Sequence, residues 1–284
     1  MHALKGHGTE NDFVLVPDLD GELDLTPAMV RALCDRHAGI GADGVLRVVR
    51  SVHDPDGKQM AADAEFFMDY RNADGSLAEM CGNGVRVFVR YLQRVELVEQ
   101  NAAVATRGGI RRVQSDVDGV LAVDMGRPRI LADRPVVTVA AGATAPGTAI
   151  ELPNPHVVVE VATAEELATL DLSRPPQVHP GPVFAGEGQN VEFIVRVGPH
   201  HLRMRVHERG VGETRSCGTG ICAAVVAAAR TDGCAADGEP WRVDVPGGTC
   251  TVIWGPDGVV LSGPAVIVAE LEVDDEWLAA SVRG

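Results

Sequence analysis

Two stretches of this chain decide its fold: MCGNGVRVFVRYL (80–92) and SCGTGICAAVVAAAR (216–230). Each sets a cysteine before a glycine-rich turn, and each turn opens an apolar run. Cys81 and Cys217 stand 136 positions apart (217 − 81), close to half of the 284 residues. The run after Cys217 carries no charge before Arg230, and the run after Cys81 is interrupted only by arginines. A helix that is apolar on nearly every side is stable only when other structure surrounds it. The expected fold is therefore mixed α and β (α+β), in two pseudo-symmetric domains. Each would be a curled, mostly antiparallel sheet around a central helix. The halves are expected at 1–126, with the tail 271–284 packing on it, and at 127–270.

Working outward, FVLV (13–16), VLRVVR (45–50) and EFFMDYRN (65–72) read as strands of the first half. A helix is expected over 27–38, with Thr26 as N-cap and Pro27 at the first helical position. HDPDGK (53–58) is a polar loop, and Asn72-Ala-Asp-Gly75 is a turn. In the second half VEFIVRV (191–197) and HLRMRVHE (201–208) read as strands, and Gly233 closes the helix that Cys217 opens. Hairpins are expected at 113–126, where Asp118-Gly119 suits a tight turn, and at 251–263.

Composition narrows the function. The formal net charge is −15 and no basic run is present, so a nucleic-acid partner is excluded. No stretch approaches the ~20 apolar residues that span a bilayer, and the start lacks the build of a secretory signal. A soluble, cytoplasmic protein with no membrane partner is expected. Lys5 and Lys58 are the only lysines, and neither sits in a setting that suggests Schiff-base chemistry. The six cysteines are widely spaced and include no C-x-x-C pair, which disfavours a disulfide framework or a metal site. Cys34, Cys222, Cys234 and Cys250 suit the role of small packed hydrophobes.

Cys81 and Cys217 suit chemistry. A thiol at a helix N-terminus meets unpaired backbone N–H groups and the positive end of the helix dipole, and both favour thiolate. Glycines let the backbone come close to a ligand, so the same N–H groups can hold a carboxylate. Two such turns acting on one carbon would provide a base for one face and an acid for the other, inverting the centre. Taken alone, each C-G-x-G also suits a tight turn with a packed cysteine.

The motifs KGHGTENDF (5–13), GADG (41–44), NADGS (72–76), MCGNG (80–84), NPH (154–156), NVEF (190–193) and HERGVGETRSCGTG (207–220) span nearly the whole chain. In them the chain resembles the diaminopimelate epimerases. The resemblance implies a cofactor-independent, metal-free isomerase that interconverts LL- and meso-diaminopimelate for lysine and cell-wall precursor synthesis. It also implies a cytoplasmic homodimer whose partner is a small amino-acid substrate. By the same resemblance, Cys81 and Cys217 are the catalytic acid and base. Gly82, Asn83, Gly218 and Thr219 hold the reacting carboxylate, and Asn11 and Glu208 contact the amino group. Asn72, Asn154, Asn190 and Arg209 grip the distal centre, with His156 assisting Cys81 and Glu208 assisting Cys217. Two departures stand out. Many members of the family carry glutamine where Gly44 stands, and Pro153 replaces a glycine often found before N-P-H.

Other readings fit parts of this pattern. The asparagines also suit turns and strand ends, His156 an ordinary loop, and Glu208-Arg209 an exposed ion pair. A hydrolase or acyl transferase using Cys81 with His156 needs only one cysteine. A racemase of another small amino acid, such as proline, would use the same scaffold. A thiol redox or binding protein leaves the glycine turns and Glu208 unexplained. Arg209 with three asparagines favours a substrate with a second charged end.

Overall fold

Both apolar runs are helices in the computed structural model, which describes residues 1–132, 134–139, 144–181, 183–184 and 188–283. The chain divides into two units, Met1–Val123 with Pro264–Gly284, and Asp124–Gly263. The first begins with β1 (His2–Gly8), β2 (Asn11–Pro17), α1 (Pro27–Cys34), β3 (Gly44–Arg50) and β4 (Phe66–Asn72). It continues through α2 (Gly82–Arg94), β5 (Asn101–Ala105), β6 (Arg111–Ser115) and β7 (Leu121–Gly126). The second carries β8 (Arg129–Ile130), β9 (Val136–Thr138), β10 (Thr144–Leu152), β11 (Asn154–Glu160), α3 (Ala164–Thr169), β12 (Gln177–His179) and β13 (Asn190–Gly198). It ends with β14 (His201–Glu208), β15 (Gly212–Thr214), α4 (Gly218–Thr231), β16 (Pro240–Val245), β17 (Gly248–Gly255) and β18 (Gly258–Gly263). The chain then returns to the first unit as β19 (Val266–Glu272) and α5 (Asp275–Arg283).

The two units repeat one topology. The first sheet runs β19-β1-β2-β3-β4-β5-β6-β7, and only the β2–β3 and β4–β5 neighbours are parallel. The main sheet of the second runs β8-β10-β11-β13-β14-β16-β17-β18, with β11–β13 and β14–β16 as its parallel neighbours. Parallel neighbours need a crossover, and a helix supplies each one. Thus α1 and α3 make the first crossover of their units, and α2 and α4 make the second.

Alternation along the strands separates two faces. In the first unit Val14, Val16 and Val45 pack with Val30 and Leu33 of α1 and Leu278 of α5. The alternate residues Phe13 and Leu46 reach the first turn of α2 at Gly84. In the second unit Val157, Val159, Val191 and Phe193 pack with Leu167 of α3. Their alternates Asn154, His156, Asn190 and Glu192 point the other way, toward α4. Every residue of α4 from Gly218 to Ala229 is buried, and α4 packs against strands from β10 to β18. Burial of each Val or Ile side chain on such a helix contributes roughly 1.5–3 kcal/mol.

Three local outcomes differ from the expected pattern or refine it. Helix α1 stops at Cys34 rather than near residue 38. Asp35 is extended there, and its carboxylate accepts the N–H groups of His37 and Ala38 at 2.8 and 2.7 Å, which competes with the helix. The loop over 53–58 is flanked by two short 3-10 turns, Ser51–His53 and Lys58–Met60. The turn that the prolines around Asn154 also suited falls one residue earlier, with Pro153 alone between β10 and β11. The β6–β7 hairpin turns at Asp116–Val120, and Gly119 takes a φ of +78° there. Among the described residues no helix is long and apolar enough to cross a membrane.

Candidate active site

Cys81 is the N-cap of α2. Its backbone is extended, and its sulfur accepts the Gly84 N–H at 3.4 Å. The thiol lies 3.5 Å from Asn11 Oδ1, to which it donates. A chain of hydrogen bonds fixes which end of Asn11 faces it. Asn11 Nδ2 donates to Asp43 at 2.7 Å, so the carbonyl oxygen is left for Cys81 and for Asn83 Nδ2 at 3.2 Å. Asn83 Oδ1 in turn accepts from the buried Arg86 at 2.9 Å. Behind Asn11, Arg36 bridges Asp12 and Asp43 at 2.8 and 2.7 Å, and Lys5 meets Asp12 at 2.6 Å. Burial resists ionisation of Asp12, but the hydrogen bonds and charges of Arg36 and Lys5 prevail and hold its carboxyl at about 2. Burial and then the Asp12 charge push Asp43 the other way. The network makes Asn11 a fixed acceptor beside the thiol, which suits a substrate ammonium group.

Cys217 is the N-cap of α4, and its sulfur lies 3.5 Å from Thr219 Oγ1. It is buried. Burial chiefly, and then the carboxylates of Glu208 and Glu192, raise this thiol well above its ordinary value. The Thr219 hydroxyl and the Gly220 N–H act in the opposite direction and are outweighed. The pull of the helix end toward thiolate is therefore outweighed at Cys217, where burial and the two carboxylates favour the protonated sulfur.

Around Cys217 the expected residues fall into three groups. Asn154 Nδ2 donates to Thr219 Oγ1 at 3.3 Å, joining β11 to the first turn of α4. Asn190 Oδ1 accepts the Arg209 N–H at 2.9 Å, and the exposed Arg209 side chain touches the Gly188 carbonyl at 3.4 Å. Glu208 accepts from the Thr214 hydroxyl, so the G-E-T segment supports this acid. In the first unit Asn72 Nδ2 donates to Ser76 Oγ at 3.0 Å, and Asn72 stands opposite Gly44 in the β3–β4 register. A Cβ at Gly44 would lie 2.5 Å from the Arg71 carbonyl and 2.7 Å from the Tyr70 ring. These strands are built around glycine, so a longer side chain at Gly44 requires the neighbouring backbone to shift. Gly82 and Gly218 are the first residues of their helices and lie in the same turns as Asn83 and Thr219.

One participant was absent from the expected set. His156 is wholly buried, and its Nδ1 lies 2.7 Å from Oε1 of the equally buried Glu192. Glu192 also fills the space in front of Gly220, where a Cβ would meet its Oε1 at 2.5 Å. Its signal was a lone acid inside the apolar strand VEFIVRV, in phase with Asn190.

Known proteins match this arrangement. The family model for diaminopimelate epimerase matches residues 3–131 and 148–268. The diaminopimelate epimerase of Streptomyces coelicolor is 54% identical over 97% of this chain and 96% of its own. That of Thermobifida fusca is 53% identical over 96% of this chain and 98% of its own. The fold also matches a hydroxyproline epimerase from Agrobacterium vitis, with a TM-score of 0.67, 15% identity and 99% and 98% of the two chains covered. A probable proline racemase from Agrobacterium radiobacter matches with a TM-score of 0.68, 16% identity and 96% and 93% coverage. At such identities these two show a shared fold alone, whereas the family model and the curated relatives run through both cysteine turns. The chain belongs to the diaminopimelate epimerase family.

Proposed function

We propose that this chain interconverts LL- and meso-diaminopimelate without a cofactor, using Cys81 and Cys217 as the acid–base pair. The observation that carries this reading is a thiol at the N-cap of the central helix in each unit, within a chain of this family. In one direction a thiolate removes the α-proton and the opposite thiol returns a proton to the other face of the carbon. In the reverse direction they exchange roles. Positioned acid–base groups contribute ~10²–10⁴-fold, and N–H groups at the two helix ends would add stabilisation of charge on the carboxylate.

The contacts support roles for the neighbours. Asn11 offers a fixed carbonyl oxygen and Glu208 a carboxylate to the reacting ammonium. Gly82, Asn83, Gly218 and Thr219 hold its carboxylate, while Asn72, Asn154, Asn190 and Arg209 hold the distal amino acid group. Arg209 supplies the planar fork that a carboxylate accepts bidentately. His156 and Glu208 adjust the proton state of Cys81 and Cys217. The family also carries the expectation of a cytoplasmic homodimer, which light scattering at assay concentration would test.

The deciding experiment is an epimerase assay on LL-diaminopimelate in D₂O, with no cofactor added and with proline and hydroxyproline as alternative substrates. One deuterium at the inverted centre, with diaminopimelate alone turned over, is the expected result. Turnover of proline in place of diaminopimelate would overturn the substrate, and full turnover by both Cys81→Ser and Cys217→Ser would overturn the mechanism.

A further inference from the structure

The pair of His156 and Glu192 has no counterpart of its own kind in the first unit. In the β11–β13 register His156 is level with Asn190 and Val158 with Glu192. In the equivalent β2–β3 register Phe13 is level with Gly44 and Leu15 with Leu46. By strand order and register, Phe13 thus stands where His156 stands, and Leu46 where Glu192 stands. The packing agrees. Leu46 and Phe13 are the neighbours of Gly84 in α2, and Glu192 is the neighbour of Gly220 in α4. An apolar pair therefore satisfies this topology. A buried ionisable pair in the same place carries a desolvation cost, and apolar replacement of such pairs is often neutral or stabilising. Its presence in the second unit calls for a reason other than folding.

The atoms indicate that reason. His156 Nε2 and Glu192 Oε2 are buried without a hydrogen-bond partner among the described residues, while Nδ1 and Oε1 are joined. A carboxylate on one imidazole nitrogen selects the tautomer that leaves the other nitrogen basic. We propose that Glu192 is a positioning residue for the epimerisation: it takes the Nδ1–H of His156, presents Nε2 as the free base, and sets a buried negative charge at the first turn of α4. The proposal rests on the two-thiol reading. It deepens that reading by giving the Cys217 turn a second carboxylate besides Glu208.

The groups facing Cys217 make the charge effect one-sided. Glu192 comes from β13 and Glu208 from β14, with His156 of β11 hydrogen-bonded to Glu192, while α4 itself carries no charged residue before Arg230. Strands β16–β18 turn apolar side chains and the Cys250 thiol inward. Removing the Glu192 charge therefore makes the Cys217 thiol easier to deprotonate.

The test compares Glu192→Gln with the double variant His156→Phe/Glu192→Leu, which imports the pair of the first unit. The double variant should fold, with a thermal midpoint at or above that of wild type, and lose at least about tenfold in kcat, the scale of a lost charged hydrogen bond. Glu192→Gln keeps an acceptor for Nδ1–H, so it should keep more activity than the double variant. The basic limb of its kcat/KM profile should move to lower pH by about one unit in both reaction directions. Thiolate ultraviolet absorbance, read as the difference between each protein and its Cys217→Ser form, should show the same downward shift without any turnover. Unchanged rate, profile and absorbance in Glu192→Gln would overturn the proposal while leaving the epimerase reading intact. Loss of activity in the double variant with collapse of its melt would also count against it, because the pair would then be structural. Wild type that is inactive on diaminopimelate would sink the function, and the absorbance shift would still judge the Glu192 charge.

Discussion

At the start of α2, Gly84 faces Leu46 and Phe13; at the start of α4, Gly220 faces Glu192, with His156 hydrogen-bonded behind it. The surrounding strands have the same order and the same senses, so topology cannot account for the difference. It lies in charge. Around Cys81 the sulfur has a backbone N–H donor and a half-buried position. Around Cys217 burial and two carboxylates hold the proton on sulfur. A reaction that takes a proton from one face and returns one to the other needs one thiol and one thiolate at the outset. Repetition of the fold supplies two similar helix ends, and unlike residues at equivalent strand positions give them unlike surroundings, with Glu192 holding the proton on sulfur at Cys217.

The largest effect expected from breaking this comparison comes from the sulfurs themselves. Cys81→Ser and Cys217→Ser should each lose ~10²–10⁴-fold in kcat, since serine keeps the shape but is a far weaker acid. Neither should change the thermal midpoint much, because serine is close to cysteine in size and is itself a favoured N-cap residue. Epimerase rates with circular dichroism melts on the same samples separate the two effects. A large loss in one variant with near-normal rate in the other would reduce the pair to a single catalytic cysteine.

A smaller contrast uses the two glycines. An alanine Cβ at Gly84 would sit 3.4 Å from Cys81 Cβ and from Leu46, which is ordinary contact. Gly84→Ala should raise stability by about 0.4–1 kcal/mol through the unfolded chain. At Gly220 the same Cβ lies 2.5 Å from Glu192 Oε1, so the carboxylate that makes the 2.7 Å bond to His156 must move. Gly220→Ala should gain no stability and lose about tenfold in kcat. Urea melts of both variants, with rates for Gly220→Ala, make the comparison. Equal stabilisation at both sites would mean that the Glu192 contact is soft.

Much of this was legible in the residues, and the limits have physical causes. The central helices followed from their unbroken apolar faces, and the repeat from the spacing of two C-G-x-G turns. Thr26 and Pro27 located the start of α1, but its end was hidden because Asp35 draws the next N–H groups to its own carboxylate. The protonation of Cys217 could not be read locally. It depends on Glu192 and Glu208, which lie on separate strands, one of them 25 positions away in the chain (217 − 192). Glu192 itself was visible only as an acid in an apolar strand. Its meaning appeared once the β11–β13 register set it near His156. The departure at Gly44 looked like a missing contact, whereas the β3–β4 pair shows a backbone closed against any side chain there.

The smallest expected effect again contrasts the two units, this time in acid. Asp12 in the first and Asp244 in the second are both held at about 2. In each, burial opposes ionisation and is overcome: by Arg36 and Lys5 at Asp12, and by Thr249, His201 and Arg242 at Asp244. A carboxyl depressed on folding contributes stability above its unfolded value of about 3.9, and that contribution is lost as pH falls toward the folded value. Both Asp12→Asn and Asp244→Asn should therefore flatten the fall of unfolding free energy between about pH 4 and pH 2. Asp43 works against the Asp12 effect, because its raised carboxyl regains a proton readily and relieves its own burial. Asp244 is the more solvent-exposed of the two acids, so salt should erase most of its contribution, which screening limits to about 1 kcal/mol or less. The Asp12 network is partly enclosed and should keep more of its slope in the same salt. Urea melts at several pH values, at low and high ionic strength, measure both slopes. Identical salt sensitivity in the two variants would show that the Lys5–Asp12–Arg36–Asp43 network is as open to solvent as a surface pair, and that Asn11 is held by its hydrogen bonds alone.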